Sequence, residues 1–183
     1  MTTPHFARPF ASGFTLIEMV VTVAVVGIVM TTATPSLASL IDTRRIDGAA
    51  TQVASDLQFA RAEAVSRNQP VRISFQSDAT TGGSCYVIHT GSADQCRCSA
   101  SGPAHCEGSA LQIKTVALDA TQRVSVQANV GSLVFDPLHG TASPTATLRV
   151  TGPQGRAVHQ VVNLMGRVRS CSPQAAVSGY RAC

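Results

Sequence analysis

The sequence predicts an α+β protein: a long amino-terminal hydrophobic α-helix packed against antiparallel β-sheets built from the rest of the chain. Three observations carry this. An apolar run opens at Phe14 and reaches Thr34 before Pro35, and about 20 such residues suffice to cross a bilayer as a helix. After Pro35, Leu37, Leu40, Ile41, Ala49, Val53, Leu57, Ala60 and Ala64 recur at three- and four-residue steps, the spacing of a helix with one buried stripe. From Val71 the apolar period falls to two, and Gly-, Ser- and Thr-rich turns interrupt it.

Within the first run the only charge is Glu18. A carboxylate inside hydrocarbon costs roughly 2.5–3.5 kcal/mol even on lenient insertion scales, so it marks a function and calls for a partner. A secretory signal peptide would also show Arg8, an apolar core and a small-residue site at Ser36-Leu37-Ala38, but it would carry Glu18 inside its apolar region. A plain single-pass anchor explains the length and neither Gly13 nor Glu18.

The stretch Gly13-Phe14-Thr15-Leu16-Ile17-Glu18, followed by an apolar helix, resembles the amino-terminal signature of type IV pilins and of the pseudopilins of type II secretion. The resemblance implies a type IV pilin-like fold and a division of the chain. Residues 1–13 would be a leader and 14–35 the transmembrane and assembly half of the helix. Residues 36–69 would be its amphipathic half and 70–183 a periplasmic antiparallel β domain. It also implies that a prepilin peptidase cuts between Gly13 and Phe14 and methylates the new amine of Phe14. Glu18 would then pair with the terminal amine of a neighbouring subunit during assembly. Pro35 falls where the family has a helix-kinking proline, consistent with a residue that cannot donate to the preceding turn. The implied partners are the peptidase, the major pilin, other minor pilins and the bacterial inner membrane.

The second part of the helix carries Asp42, Arg44, Arg45, Asp47, Gln52 and Arg61 on its other faces, and Asn68-Gln69-Pro70 ends it, since a residue before proline is biased away from helix. Residues 56–68, with Ala60-Arg61-x-Glu63-Ala64 and Arg67-Asn68 at their centre, and then Val71-Arg72-Ile73, resemble the GspH/FimT subgroup of minor pilins and pseudopilins. Read without that resemblance, Arg61 and Glu63 are a solvated helix face, where ion pairs are worth about 0–1 kcal/mol.

Seven short segments read as strands: those around Val71-x-Ile73-x-Phe75, Tyr86-Val87-Ile88, Leu111-x-Ile113, Val124-x-Val126, Leu133-Val134-Phe135, Leu148-x-Val150 and Val158-x-x-Val161. Thr80-Thr81-Gly82-Gly83, the stretch at 90–94 and Thr151-Gly152-Pro153-Gln154-Gly155 are the clearest turns. Residues 94–108, rich in cysteine and poor in periodicity, read as a disulfide-pinned surface loop. Phe135-Asp136-Pro137-Leu138-His139-Gly140 resembles a stretch that the pilin subgroup carries before its last hairpin.

Six cysteines, Cys85, Cys96, Cys98, Cys106, Cys171 and Cys183, in a chain exported across a membrane are expected to form disulfides. The distance of the last two from the others suggests Cys171–Cys183, which leaves three pairings for the rest. A metal site at Cys96, Cys98, His105 and Cys106 is the alternative, although the spacing is not that of common zinc motifs. No nucleophile elbow, metallopeptidase helix, phosphate loop or dinucleotide fingerprint organises the remaining residues. No enzyme and no cofactor is expected, and His89, His105, His139 and His159 read as surface or partly buried residues.

Net charge is +4, and its distribution matters more than its sum. Beyond Asp136 there is no Asp or Glu, while Arg149, Arg156, Arg167, Arg169 and Arg181 all lie there, a basic block suited to anionic partners. If residues 158–169 form one strand, Arg167 and Arg169 share a face and Val168 takes the other, while Gly166 lets a backbone approach. Gly166-Arg167-Val168-Arg169 resembles the Gly-Arg-x-Arg of FimT-like minor pilins that bind DNA in natural transformation. Related minor pilins without that role also end in Gly-Arg-containing strands. The resemblance implies a minor pilin at or near the tip of a type IV pilus, taking double-stranded DNA on Gly166, Arg167, Arg169 and Arg181, with Arg149 and Arg156 at the margin. The alternative is a GspH-like minor pseudopilin of a type II secretion system.

Overall fold

Helix α1 spans Leu16–Arg67. Thr15 starts it, its Oγ1 accepting from the Glu18 N–H at 3.3 Å, the usual way an N-cap hydroxyl satisfies a first-turn donor. Helical backbone continues through Pro35, although a proline has no N–H to give the carbonyl four residues back. At the far end Asn68 takes the left-handed conformation, φ +49°, one of the few residues that does so cheaply, and Pro70 turns the chain into the sheets.

The computed structural model describes residues 13–77, 82–99 and 102–183. The expected leader, Gly13 excepted, and half of the turn expected at 80–83 lie outside them. By its internal contacts the chain divides into two units, one ending at Leu40 and one beginning at Ile41. In the first, the large apolar side chains from Leu16 to Met30 are exposed, and the helix is long and apolar enough to cross a membrane.

The second unit contains eleven strands among the described residues: β1 Val71–Ser77, β2 Ser84–Thr90, β3 Cys96–Ser99, β4 Gly102–Cys106, β5 Gln112–Leu118, β6 Ser125–Ala128, β7 Ser132–Phe135, β8 Ala142–Ser143, β9 Ala146–Thr151, β10 Ala157–Val162 and β11 Val168–Cys171. They form a five-stranded sheet in the order β5-β2-β1-β7-β8, a four-stranded sheet in the order β11-β10-β9-β6, and the hairpin β3-β4. Every strand pairing is antiparallel.

One core joins them. Ile46, Ala50, Val53, Leu57, Ala60 and Ala64 of α1 pack in the same cluster as Ile73, Ile88, Leu133, Phe135, Leu148 and Val158. Each large aliphatic or aromatic side chain buried there contributes about 1.5–3 kcal/mol. The buried stripe begins later than the sequence suggested: Leu37, Leu40 and Ile41 are exposed, and Ile46 and Ala50 take the positions expected of earlier residues.

Two expectations are corrected outright. Residues 94–108 are not an irregular loop, because β3 and β4 pair from Cys96↔Cys106 onward. Disulfides Cys85–Cys98 and Cys96–Cys106 do for this hairpin what apolar alternation does elsewhere. Residues 158–169 are not one strand either. Backbone bonds between Asn163 and Gly166 and between Asn163 and Arg167 close a turn between β10 and β11, and Gly166, at φ +70°, is part of it.

The helix carboxylates also differ from expectation. Asp42 and Asp47, read as outward residues, face the domain. Asp42 is buried, 3.9 Å from Arg123 and 4.0 Å from Arg156, and Asp47 accepts from the Tyr180 hydroxyl at 2.7 Å. Asp56, 3% exposed, accepts from the Tyr86 hydroxyl at 2.7 Å and from Lys114 Nζ at 2.6 Å. Burial first, and then the Asp56 carboxylate, push the Tyr86 phenol up.

Candidate nucleic-acid interface

The four-stranded sheet shows one face to the core and one to solvent. Val158, Gln160 and Val162 of β10 are buried, so His159 and Val161 take the opposite face. Across the ladder Arg149 pairs with His159, and His159 with Cys171; one step along, Thr147 pairs with Val161, and Val161 with Arg169. Arg149 and Arg169 therefore stand on the same outward face, roughly 12 Å apart by strand spacing and rise. With Gln127, opposite Arg149 on β6, the face carries two exposed guanidiniums and no carboxylate. Burial first and the charge of Arg149 second hold the His159 imidazole below its ordinary value, so at neutral pH it adds no charge.

Arg181 reaches the edge of this sheet through the carboxy-terminal tail. The Ser172 N–H donates to the Arg181 carbonyl at 2.8 Å, the Cys183 N–H donates to the Ser172 carbonyl at 3.3 Å, and a disulfide joins Cys171 to Cys183. Val177, fully buried, and Tyr180, bonded to Asp47, fix the tail between those points. Arg181 itself is exposed.

Arg167 lies just before β11, in the turn, with its N–H held by Asn163 Oδ1 at 2.9 Å. It is exposed, but the β10–β11 ladder begins only at Val162↔Val168, so strand alternation does not set its direction. Two marginal residues change rank. Arg149 is central to the outer face, whereas Arg156 donates to Thr43 Oγ1 at 2.6 Å and lies beside Asp42. Its charge is spent inside the domain on a carboxylate that is remote in sequence.

Sequence reading missed the role of Arg61. It is half-buried rather than part of a solvated face, and its guanidinium lies over two turn glycines. A Cβ on Gly140, φ +62°, would come within 2.8 Å of Arg61 Nε; one on Gly166 would lie 2.4 Å from the Gly140 carbonyl oxygen and 3.1 Å from Arg61 Nε. The helix motif, the Phe135–Gly140 stretch and the Gly-Arg-x-Arg motif thus meet at one point. Glu63 forms the ion pair of this face, with Arg67 at 2.5 Å.

At the amino-terminal end Phe14 is exposed and Glu18 occupies the first turn of α1, where the helix dipole favours a negative charge. All six cysteines are joined in disulfides, so none is a thiolate ligand. No cluster of His, Cys, Asp or Glu among the described residues could hold a metal ion.

Comparison with known proteins adds the decisive observation. The family model for the type II transport protein GspH matches residues 49–166, and that of the prokaryotic N-terminal methylation motif matches residues 8–34. The chain belongs to the GspH family. It is therefore a minor pilin or pseudopilin, a member of a family of structural pilins. The methylation motif together with the apolar start of α1 anchors it in the inner membrane, from which such subunits pass into a filament.

Among solved structures, this GspH-family chain is similar to the type IV minor pilin FimU of Pseudomonas aeruginosa strain PAO1. A crystal form in space group P21 aligns with a TM-score of 0.50 at 19% identity, over 73% of this chain and 96% of that one. A second form, in P65, aligns at 0.48 with 20% identity, over 71% and 98%. The first alignment shows the shared fold: a long amino-terminal helix packed on antiparallel sheets. No curated protein matches the sequence.

Proposed function

We propose that this chain is a minor pilin of a type IV pilus, placed at or near the tip, that binds double-stranded DNA on the outer face of its four-stranded sheet. Cleavage between Gly13 and Phe14, methylation of Phe14 and pairing of Glu18 with a neighbour's terminal amine bring it into the filament. The observation that supports DNA binding is the carboxylate-free face that presents Arg149 and Arg169, with Arg167 and Arg181 at its edge. Phosphate contacts position a duplex without reading its sequence, and arginine's planar fork suits phosphate oxygens.

The test is binding of a labelled duplex to the full chain in nanodiscs across a salt series. Affinity should fall linearly on a log–log plot, and Arg149→Gln with Arg169→Gln should lower the slope by about 0.9 for each phosphate no longer neutralised, equally for unrelated sequences. An unchanged slope in the folded double variant, or no binding at low salt, removes DNA from the reading. The match to the GspH model favours the second reading, a minor pseudopilin of a type II secretion system. Recovery of the chain in sheared pili, or in a secretion pseudopilus instead, separates the two.

A further inference from the structure

A groove of about 890 Å³ runs between the outer side of α1 and the two turns that meet at Arg61. Its lining includes Arg61, Val65, Leu138, His139, Gly140 and Arg167, with no Asp or Glu. Arg61 lies close over both turns: its Nε occupies the space in which a Cβ on Gly140 or Gly166 would stand. No carboxylate among the described residues lies within ion-pair distance of Arg61 or Arg167, since Glu63 is taken by Arg67, and Asp136 by His139 and the N–H groups of its own turn.

Around these cations the surface is apolar. Val65 is 54% exposed, Leu138 76%, and Leu164 and Met165, in the adjoining turn, 60% and 64%. Exposed aliphatic groups beside the guanidiniums favour a protein partner over a phosphate backbone, which offers no apolar surface to cover them. Paired arginines without a carboxylate supply the complementary charge.

From this we infer that the groove is a docking site for a neighbouring subunit, taking an extended segment in which one carboxylate is flanked by aliphatic side chains. The carboxylate meets the guanidiniums of Arg61 and Arg167, a charge-assisted contact stronger than a neutral hydrogen bond, and the aliphatic groups cover Val65 and Leu138. This surface lies on the helix side of the Gly-Arg-x-Arg turn and does not depend on DNA binding by the sheet's outer face.

The test is an NMR titration of the full chain in nanodiscs with acetyl-Leu-Asp-Leu-amide, and with acetyl-Leu-Asn-Leu-amide as the neutral control. The acidic peptide should shift the amides of Gly140, Gly166 and Arg167 saturably and bind at least tenfold more tightly than the neutral one. Arg61→Gln should erase that preference. Leu138→Ser, at an exposed position whose loss leaves the core intact, should weaken both peptides, which keeps the proposal open to refutation should Arg61→Gln fold poorly. Equal binding of the two peptides by the wild type, or an undiminished response in Leu138→Ser, overturns it. Displacement of the acidic peptide from these amides by a short DNA duplex in the Arg149→Gln, Arg169→Gln variant, whose sheet face is weakened for DNA, also overturns it and assigns the groove to nucleic acid.

Discussion

The carbonyl oxygen of Gly140 lies where the Cβ of residue 166 would begin: a side chain there would sit 2.4 Å from that oxygen. Gly166 also holds φ +70°, which costs any other L-residue about 1–2 kcal/mol. Gly166→Ala combines that strain with a backbone collision and should destabilise the domain by about 2–4 kcal/mol. At Gly140 the neighbour is the flexible Arg61 side chain, so Gly140→Ala should cost only about 1–2 kcal/mol. Denaturant midpoints of the two variants measure the difference, and equal costs contradict the close approach at Gly166.

Asp56 provides a second contrast. Removing it leaves a buried hydroxyl and an ammonium without their acceptor, so Asp56→Ala should cost about 3–5 kcal/mol. Lys114 is 40% exposed along its side chain, and water screens its half of the pair, so Lys114→Met should cost less than about 1 kcal/mol. Thermal or urea unfolding of both variants, with Tyr86→Phe between them, orders the three.

Buried His89 gives the fold a pH dependence. The Thr90 carbonyl can only accept, so Nδ1 carries the proton and donates at 2.8 Å, while Nε2 accepts from the Ser74 hydroxyl at 2.8 Å. Burial, the largest effect, and the nearby Arg72 charge hold the imidazole below its ordinary value, against the pull of the Thr90 carbonyl. The unfolded chain then binds a proton that the folded one refuses. Stability is complete above the ordinary histidine range near 6.5 and falls as pH drops through it, by up to ~1.4 kcal/mol per unit. His89→Gln should flatten unfolding free energies between pH 7 and 5 relative to the wild type; parallel curves would deny His89 this role.

For the amino terminus, the intact mass of membrane-extracted protein should show a chain that begins at Phe14 and carries one methyl group. Glu18→Ala should be processed and folded normally, yet be missing from sheared filaments. A lone carboxylate in an apolar helix recovers only the small dipole contribution of the first turn until another subunit supplies its counter-charge. Wild-type amounts of Glu18→Ala in filaments would refute the pairing.

Much of the scaffold was legible because periodicity is local. The helix and the seven apolar strands follow from spacing and turn residues alone. β3 and β4 were hidden because cysteines, not alternating aliphatics, stabilise their pairing, and β8 and β11 because two to four largely exposed residues carry no pattern. The interface was legible in part. Counting charges found the arginines, but only the ladder shows that Arg149 joins Arg169 while Arg156 turns inward to Asp42. Arg61 looked solvated because Gly140 and Gly166, which enclose it, come from turns far along the chain.

Lys114 is the only lysine in the sequence, and its Nζ is 2.6 Å from Asp56 Oδ1. An amine-directed dye or cross-linker therefore finds one primary amine in the whole β domain, and that amine must leave its carboxylate before it can react. Because its side chain is 40% exposed and the pair is weak, amine chemistry on filaments that contain this subunit should mark its β domain at that one position.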